Sequence, residues 1–169
     1  MSATKYGGTP SNDTRASTGD AKRLNHTGLE AMRRMLSDES LGPPIAQVMN
    51  YRIASVEDGE VSFTGTPQPQ FCNPMGAVHG GWYGVLLDSC MACAVATRVP
   101  EGSTYTTLEY KVNIIRPIPV GMEIEARGFA QHVGRSTGIA NGEIRGAQDG
   151  KLYATGSTTC IVMPLPTNT

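Results

Sequence analysis

The chain is expected to fold as an α+β domain in which a curved antiparallel β-sheet wraps around one long central α-helix. Three observations lead there. Residues 80–98 are apolar nearly all round, through Val85, Leu86, Leu87, Met91, Ala92 and Val95, which marks a helix buried on most sides. The segments that follow alternate apolar and polar residues, the pattern of strands with one covered face. Gly128, Gly138, Gly142 and Gly156 fall inside those strands, where a missing side chain marks strong curvature or the close approach of another backbone.

Each element can be justified in order. Residues 1–24 are rich in Ser, Thr, Gly, Asn and Asp and nearly free of large apolar groups. They read as a flexible arm, leaving 25–166 as the domain. Leu29, Met32 and Leu36 share one face of a short amphipathic helix. Pro43-Pro44 breaks the chain and starts a short turn through Ile45 to Met49. A hairpin follows: residues 51–56, turn residues Glu57, Asp58 and Gly59, then residues 60–64. A Pro-punctuated loop over residues 67–75 leads into the central helix. Residues 106–114 then alternate, with Leu108, Tyr110, Val112 and Ile114 on one side and Thr107, Glu109, Lys111 and Asn113 on the other. Residues 122–133, 136–146 and 152–163 continue as an antiparallel meander, with turns at Gly134-Arg135 and Asp149-Gly150.

Composition narrows the function. The 169 residues suffice for one domain with a real core. A net charge of −1 with 17% charged residues fits neither a nucleic-acid binder nor a polybasic membrane surface. No stretch approaches the roughly 18 apolar residues of a spanning helix, and the polar N-terminus lacks a signal core, so a cytoplasmic protein is expected. Cys72, Cys90, Cys93 and Cys160 show no framework spacing. Cys90-Met-Ala-Cys93 matches C-x-x-C but lies inside the apolar helix rather than at its start, so small buried hydrophobes are expected instead of redox or zinc ligands. Without a secretory signal the Asn25-His-Thr27 sequon carries little weight, and no metal site is expected.

The chemistry concentrates in Asn73-Pro-Met-Gly-Ala-Val-His-Gly-Gly81 and the helix after it. Backbone N–H groups of Gly80 and Gly81 would open that helix without intrahelical acceptors, where the helix dipole favours negative charge. Asp88 stands mid-helix among Leu86, Leu87, Cys90 and Met91. A carboxylate in such company is a candidate for chemistry unless it finds partners. Eight residues separate Gly80 from Asp88, about 12 Å at roughly 1.5 Å per residue. Reacting atoms must meet within about 3.5 Å. One substrate carbonyl therefore cannot use both groups of a single helix. Two copies of the helix, meeting antiparallel, could supply one from each, which points to a symmetric dimer with shared sites.

Asn73-x-x-Gly76-x-x-His79-Gly80-Gly81, followed by Asp88 and then Tyr110-x-x-Asn113-x-x-Arg116-Pro117, resembles the hotdog-fold acyl-CoA thioesterases of the PaaI-like (phenylacetic acid degradation) type, over roughly residues 27–163. The resemblance implies hydrolysis of an aryl- or medium-chain acyl-CoA by a homodimer or a dimer-of-dimers homotetramer, with no cofactor beyond the coenzyme A of the substrate. It implies Asp88 as general base or nucleophile and the Gly80 N–H as oxyanion donor. It also implies that Asn73 orients the carbonyl or the water, and that Thr107 holds the water near the acid. His79, the remaining member of the catalytic set, is expected to shape the helix start through hydrogen bonds to nearby backbone. Gly81 and Trp82 are candidates to line the substrate site, with Tyr83 beside them. Arg116 and Arg135, with Ser136 in the same turn as Arg135, are candidates for the CoA phosphates, because guanidinium forks match phosphate oxygens. Glu109, on Thr107's expected face, is the acid that competes with Asp88. Two alternatives remain at this stage: another hotdog activity, such as a dehydratase or acyl-carrier-protein thioesterase, and a non-catalytic acyl-CoA-binding module.

Overall fold

The computed structural model describes residues 26–165. The expected arm, residues 1–24, and the sequon's Asn25 lie outside the described residues. Helix α1 (Gly28–Ser37) starts at a capping box: the Glu30 N–H donates to the Thr27 hydroxyl while the Thr27 N–H donates to the Glu30 carboxylate at 2.8 Å. Met32 is buried and Leu29 and Met35 pack against the core, but Leu36 is 39% exposed. The buried stripe thus runs through Met35 rather than Leu36, because the last turn of α1 overhangs the edge of the core. Pro43 and Pro44 then start the single turn of α2 (Pro44–Val48), Pro44 sitting where a missing N–H costs nothing.

Strands β1 (Tyr51–Glu57) and β2 (Glu60–Gly65) form the expected hairpin, turning through Gly59 at φ 77°. The long helix α3 (Gly80–Ala96) follows, then β3 (Ser103–Ile114), β4 (Ile124–Val133), β5 (Thr137–Gly146) and β6 (Leu152–Pro164). All pair antiparallel in one six-stranded sheet of order β1-β2-β4-β5-β6-β3. This corrects the expected four-strand meander. Only β4, β5 and β6 run in sequence order; β3 lies at the far edge against β6, and β4 joins the hairpin through β2. The reason is that α3 crosses the concave face and delivers β3 to the far edge. The chain must then recross, and that return is pinned where the Ile118 N–H donates to the Tyr83 hydroxyl at 2.7 Å.

α3 fills the concavity. Leu86, Leu87, Cys90, Met91, Ala94 and Val95 are fully buried. The strand glycines explain how close the helix comes. Gly128, Gly142 and Gly156 lie in register across β4, β5 and β6. A Cβ on Gly128 would stand 2.1 Å from the Cys90 carbonyl oxygen, and one on Gly142 2.7 Å from the Met91 side chain. Backbone packs on backbone there, as the glycine spacing implies.

Candidate active site

The loop before α3 is folded on Asn73. Its Oδ1 accepts from the Met75 N–H at 2.9 Å and the Ala77 N–H at 3.2 Å, while its own N–H donates to the Ala77 carbonyl at 2.8 Å. Gly76, at φ 80°, makes the tight reversal. Asn73 is therefore a turn-former whose Oδ1 is fully engaged, with the Nδ2 amide left as the group that could meet a ligand.

His79 is the N-cap of α3. Its Nδ1 accepts from the Gly81 N–H at 2.9 Å. That bond needs the Nδ1 lone pair, which puts the proton of the neutral ring on Nε2. The ring so placed orients the helix start, as expected of it, so within the catalytic set His79 is a positioning group. The same bond takes up the Gly81 donor, while Gly81 itself stays exposed at the helix start. Gly80 keeps its donor: its N–H meets no acceptor among the described residues, as the first N–H of a helix does. The role expected of Trp82 is corrected. It is 2% exposed, and its indole N–H donates to the Met49 carbonyl at 2.9 Å, locking α2 to α3. Tyr83, equally buried, holds the Ile118 crossing. Neither lines an open pocket.

Asp88 is half-buried on the flank of α3 that faces β3. The Thr107 hydroxyl donates to its Oδ1 at 2.8 Å. A bulge in β3 decides which residues share this face. The register to β6 runs Thr107 with Cys160, then Glu109 with Thr159, so Leu108 is the extra residue. Cys160 and Thr158 are buried on the concave side, so Thr107 and Tyr110 face the helix. Glu109, opposite Thr159, faces out with Lys111 and Asn113. This overturns the expected sharing of a face by Thr107, Glu109 and Lys111, and it removes Glu109 as a competitor of Asp88.

Two residues beside the acid escape the sequence pattern. The Tyr51 and Ser89 hydroxyls are hydrogen-bonded at 2.9 Å, which ties β1 to the turn of α3 that carries Asp88. Burial pushes the Tyr51 phenol up, so it stays neutral and able to donate. A serine directly after the acid, in an otherwise apolar helix, was the available signal. The C-x-x-C pair shows the opposite. Burial drives the Cys90 thiol well above its ordinary value, which suits packing rather than redox chemistry. Among the described residues no three His, Cys, Asp or Glu side chains cluster as a metal site, and no helix is long and apolar enough to cross a membrane.

The candidate phosphate ligands lie at opposite ends of the sheet. Arg116 follows β3 near the start of α3: Tyr83 donates to its carbonyl at 3.4 Å, and its guanidinium donates to the Leu152 carbonyl. Arg135 and Ser136 are exposed in the β4–β5 turn, beyond the row Gly138–Cys160–Thr107. Asn73, Gly80 and Arg116 thus lie toward the start of α3, and Asp88 with Thr107 about two turns along it, with Arg135 and Ser136 toward the other end of the sheet.

A six-stranded antiparallel sheet whose glycines lie against one long helix, with an acid mid-helix and, at its start, an N–H that no described residue accepts, is the hotdog architecture. The comparisons carry this to a family. The thioesterase superfamily model matches residues 75–153, a span that includes His79, Gly80, Asp88 and Thr107 but stops short of Asn73. A Ralstonia eutropha JMP134 structure, named as a thioesterase related to phenylacetic acid degradation, is 31% identical, with a TM-score of 0.69 over 78% of this chain and 98% of that one. A Streptococcus pneumoniae thioesterase solved with coenzyme A is 24% identical, with a TM-score of 0.62 over 70% and 89%. A Caenorhabditis elegans protein named as an esterase is 32% identical over 97 residues, and the match spans 57% of each chain. The chain belongs to the thioesterase superfamily, among its PaaI-like members.

Proposed function

We propose that this protein hydrolyses acyl-CoA thioesters as a homodimer with two shared sites. The observation that carries the reading is the Thr107–Asp88 hydrogen bond at 2.8 Å, placed two helical turns from the Gly80 N–H on the same helix, which meets no acceptor among the described residues. Two antiparallel copies of α3 would bring each acid to the other copy's donor. β3 supports that pairing. Among the described residues it is an edge strand with one unpaired side, and it displays Leu108 (60% exposed), Tyr110, Ile114 and the following Ile115. A long apolar edge of this kind invites another strand, and a dimer of two such dimers is compatible with it.

In this reading Asp88 acts as a general base. Thr107 donates its proton to Oδ1 and leaves Oδ2 for a water, and the Thr107 oxygen can accept from that same water. Asp88 takes the water's proton as its oxygen attacks the thioester carbon. The oxyanion forms against the partner's Gly80 N–H at the positive end of the helix, with the Asn73 Nδ2 amide beside it. Collapse expels the CoA thiolate, which the proton from Asp88 then neutralises. An oxyanion donor is typically worth about 3–4 kcal/mol of barrier. Arg116 from one subunit and Arg135 with Ser136 from the other are proposed to flank the CoA phosphates. The coenzyme A bound to the Streptococcus pneumoniae thioesterase supports the CoA class, and the phenylacetic acid relation named for the Ralstonia eutropha structure supports an aryl acyl group; a medium-chain acyl group is proposed beside it.

The test is a panel of aryl and straight-chain acyl-CoAs with release of free thiol followed directly. Hydrolysis of at least one class is expected. Tight acyl-CoA binding without any turnover would leave a binding module and overturn the enzyme reading.

A further inference from the structure

Tyr110 stands apart from the other tyrosines near α3. Tyr83 and Tyr51 are buried, whereas Tyr110 is 46% exposed although it faces the helix. It packs over Gly84: a Cβ there would lie 3.1 Å from the Tyr110 hydroxyl and 3.2 Å from the nearest ring carbon. Gly84 is four residues from Gly80 and four from Asp88, about 6 Å each way along the helix. A two-fold operation that brings the partner's Gly80 to this Asp88 also brings this Gly80 to the partner's Asp88. Its axis must therefore pass beside the midpoint of the two, which is Gly84 and the ring lying on it. The side of Tyr110 left open in one chain is the side a second copy meets.

We propose that Tyr110 is a specificity-determining residue of the shared sites: the ring and the partner subunit's Tyr110 meet at the dimer axis and form the inner wall of both acyl sites. This rests on the shared-site reading above. Each reacting carbonyl lies about one helical turn from the ring pair, so substituents two or three carbons from the carbonyl reach it. The wall disfavours acyl groups that are bulky next to the thioester, and unbranched acyl groups avoid it. The ring rather than the hydroxyl is the effective group, since bulk is what it excludes.

Two measurements test this. The first compares kcat/KM for hexanoyl-CoA and 2-ethylbutanoyl-CoA, which have equal carbon counts. Tyr110→Ala should raise the branched-to-unbranched ratio tenfold or more, within the range that pocket contacts of this size discriminate, while Tyr110→Phe should hold it within threefold of wild type. A ratio unchanged in Tyr110→Ala, or moved equally by Tyr110→Phe, overturns the proposal. The second needs no turnover. Tyr110→Cys should give a covalently linked dimer with a short bifunctional thiol reagent, because two positions whose rings meet at the axis lie within about two side-chain lengths of each other; the wild-type protein, with its native cysteines, is the control. A dimer that does not cross-link, or a monomer, overturns the axis placement. Cross-linking in a protein that hydrolyses no acyl-CoA would retain the axis and reject the enzyme reading.

Discussion

Replacing Thr107 with valine removes one hydroxyl and almost no volume, so it isolates the bond to Asp88. That bond, 2.8 Å to a carboxylate oxygen, is of the charged kind, worth about 1.5–3 kcal/mol. If the bond holds both the acid and its water in the reactive arrangement, that energy appears in the barrier. At about 1.4 kcal/mol per tenfold, kcat should fall roughly 10- to 150-fold with KM little changed. Folding should respond far less. Asp88 is only half-buried, so solvent can replace the lost donor, and valine suits a strand. A destabilisation of under about 1 kcal/mol would move Tm by only a few degrees. Thr107→Ser keeps the hydroxyl and should retain most of kcat. Steady-state kinetics on a turned-over acyl-CoA, with thermal unfolding of the same preparations, provide the assay. A Thr107→Val enzyme within threefold of wild type in kcat would refute the role given to this bond.

Asp88→Asn keeps the shape and removes the base; it should fold normally and lose about 10²- to 10⁴-fold in kcat, whereas near-wild-type rates would place the chemistry elsewhere. Asn73→Asp retains the Oδ1 bonds that fold the loop but replaces the amide donor, and should lower kcat without lowering Tm. Mixing these two impaired variants with subunit exchange makes half the dimers heterodimers, each with one intact shared site. About a quarter of wild-type activity should return; none returning would mean that each site lies within one chain. Gly128→Ala would put a methyl carbon 2.1 Å from the Cys90 carbonyl oxygen. Backbone must move to relieve it, so destabilisation at or above the usual 1–3 kcal/mol of overpacking should appear as a Tm lower by roughly 5–10 °C.

The fold was legible where one period dominated. The apolar run of α3, the hairpin turn at Gly59 and the glycines lining the sheet each impose a local constraint that a sequence displays directly. Strand order was not legible, because nothing local to β3 records that it pairs with β6 rather than β4. That choice follows from where a 17-residue helix ends after crossing the sheet. The face assignment of Glu109 failed for a related reason. A bulge adds one residue on one strand only, and Leu108 looks like any other member of an alternating run. At the helix start the residue types were readable, but their division of labour was not. His79 takes the Gly81 donor and leaves Gly80 open, a matter of cap geometry rather than of composition.

In the proposed shared-site dimer, the separation of Gly80 from Asp88 ties assembly to chemistry. Were the acid one turn from the helix start, a single chain could close on a carbonyl, and β3 would need no partner to complete a site. At two turns neither half would act alone in that dimer, so the demands of the interface and of the reaction would fall on the same few residues. Gly84 is where they would meet. It lies midway between Gly80 and Asp88 and carries no side chain, which lets the Tyr110 ring rest against the helix. Substitutions there would change dimer packing and acyl selectivity together, whereas changes at Thr107 would alter the reaction and leave the interface intact.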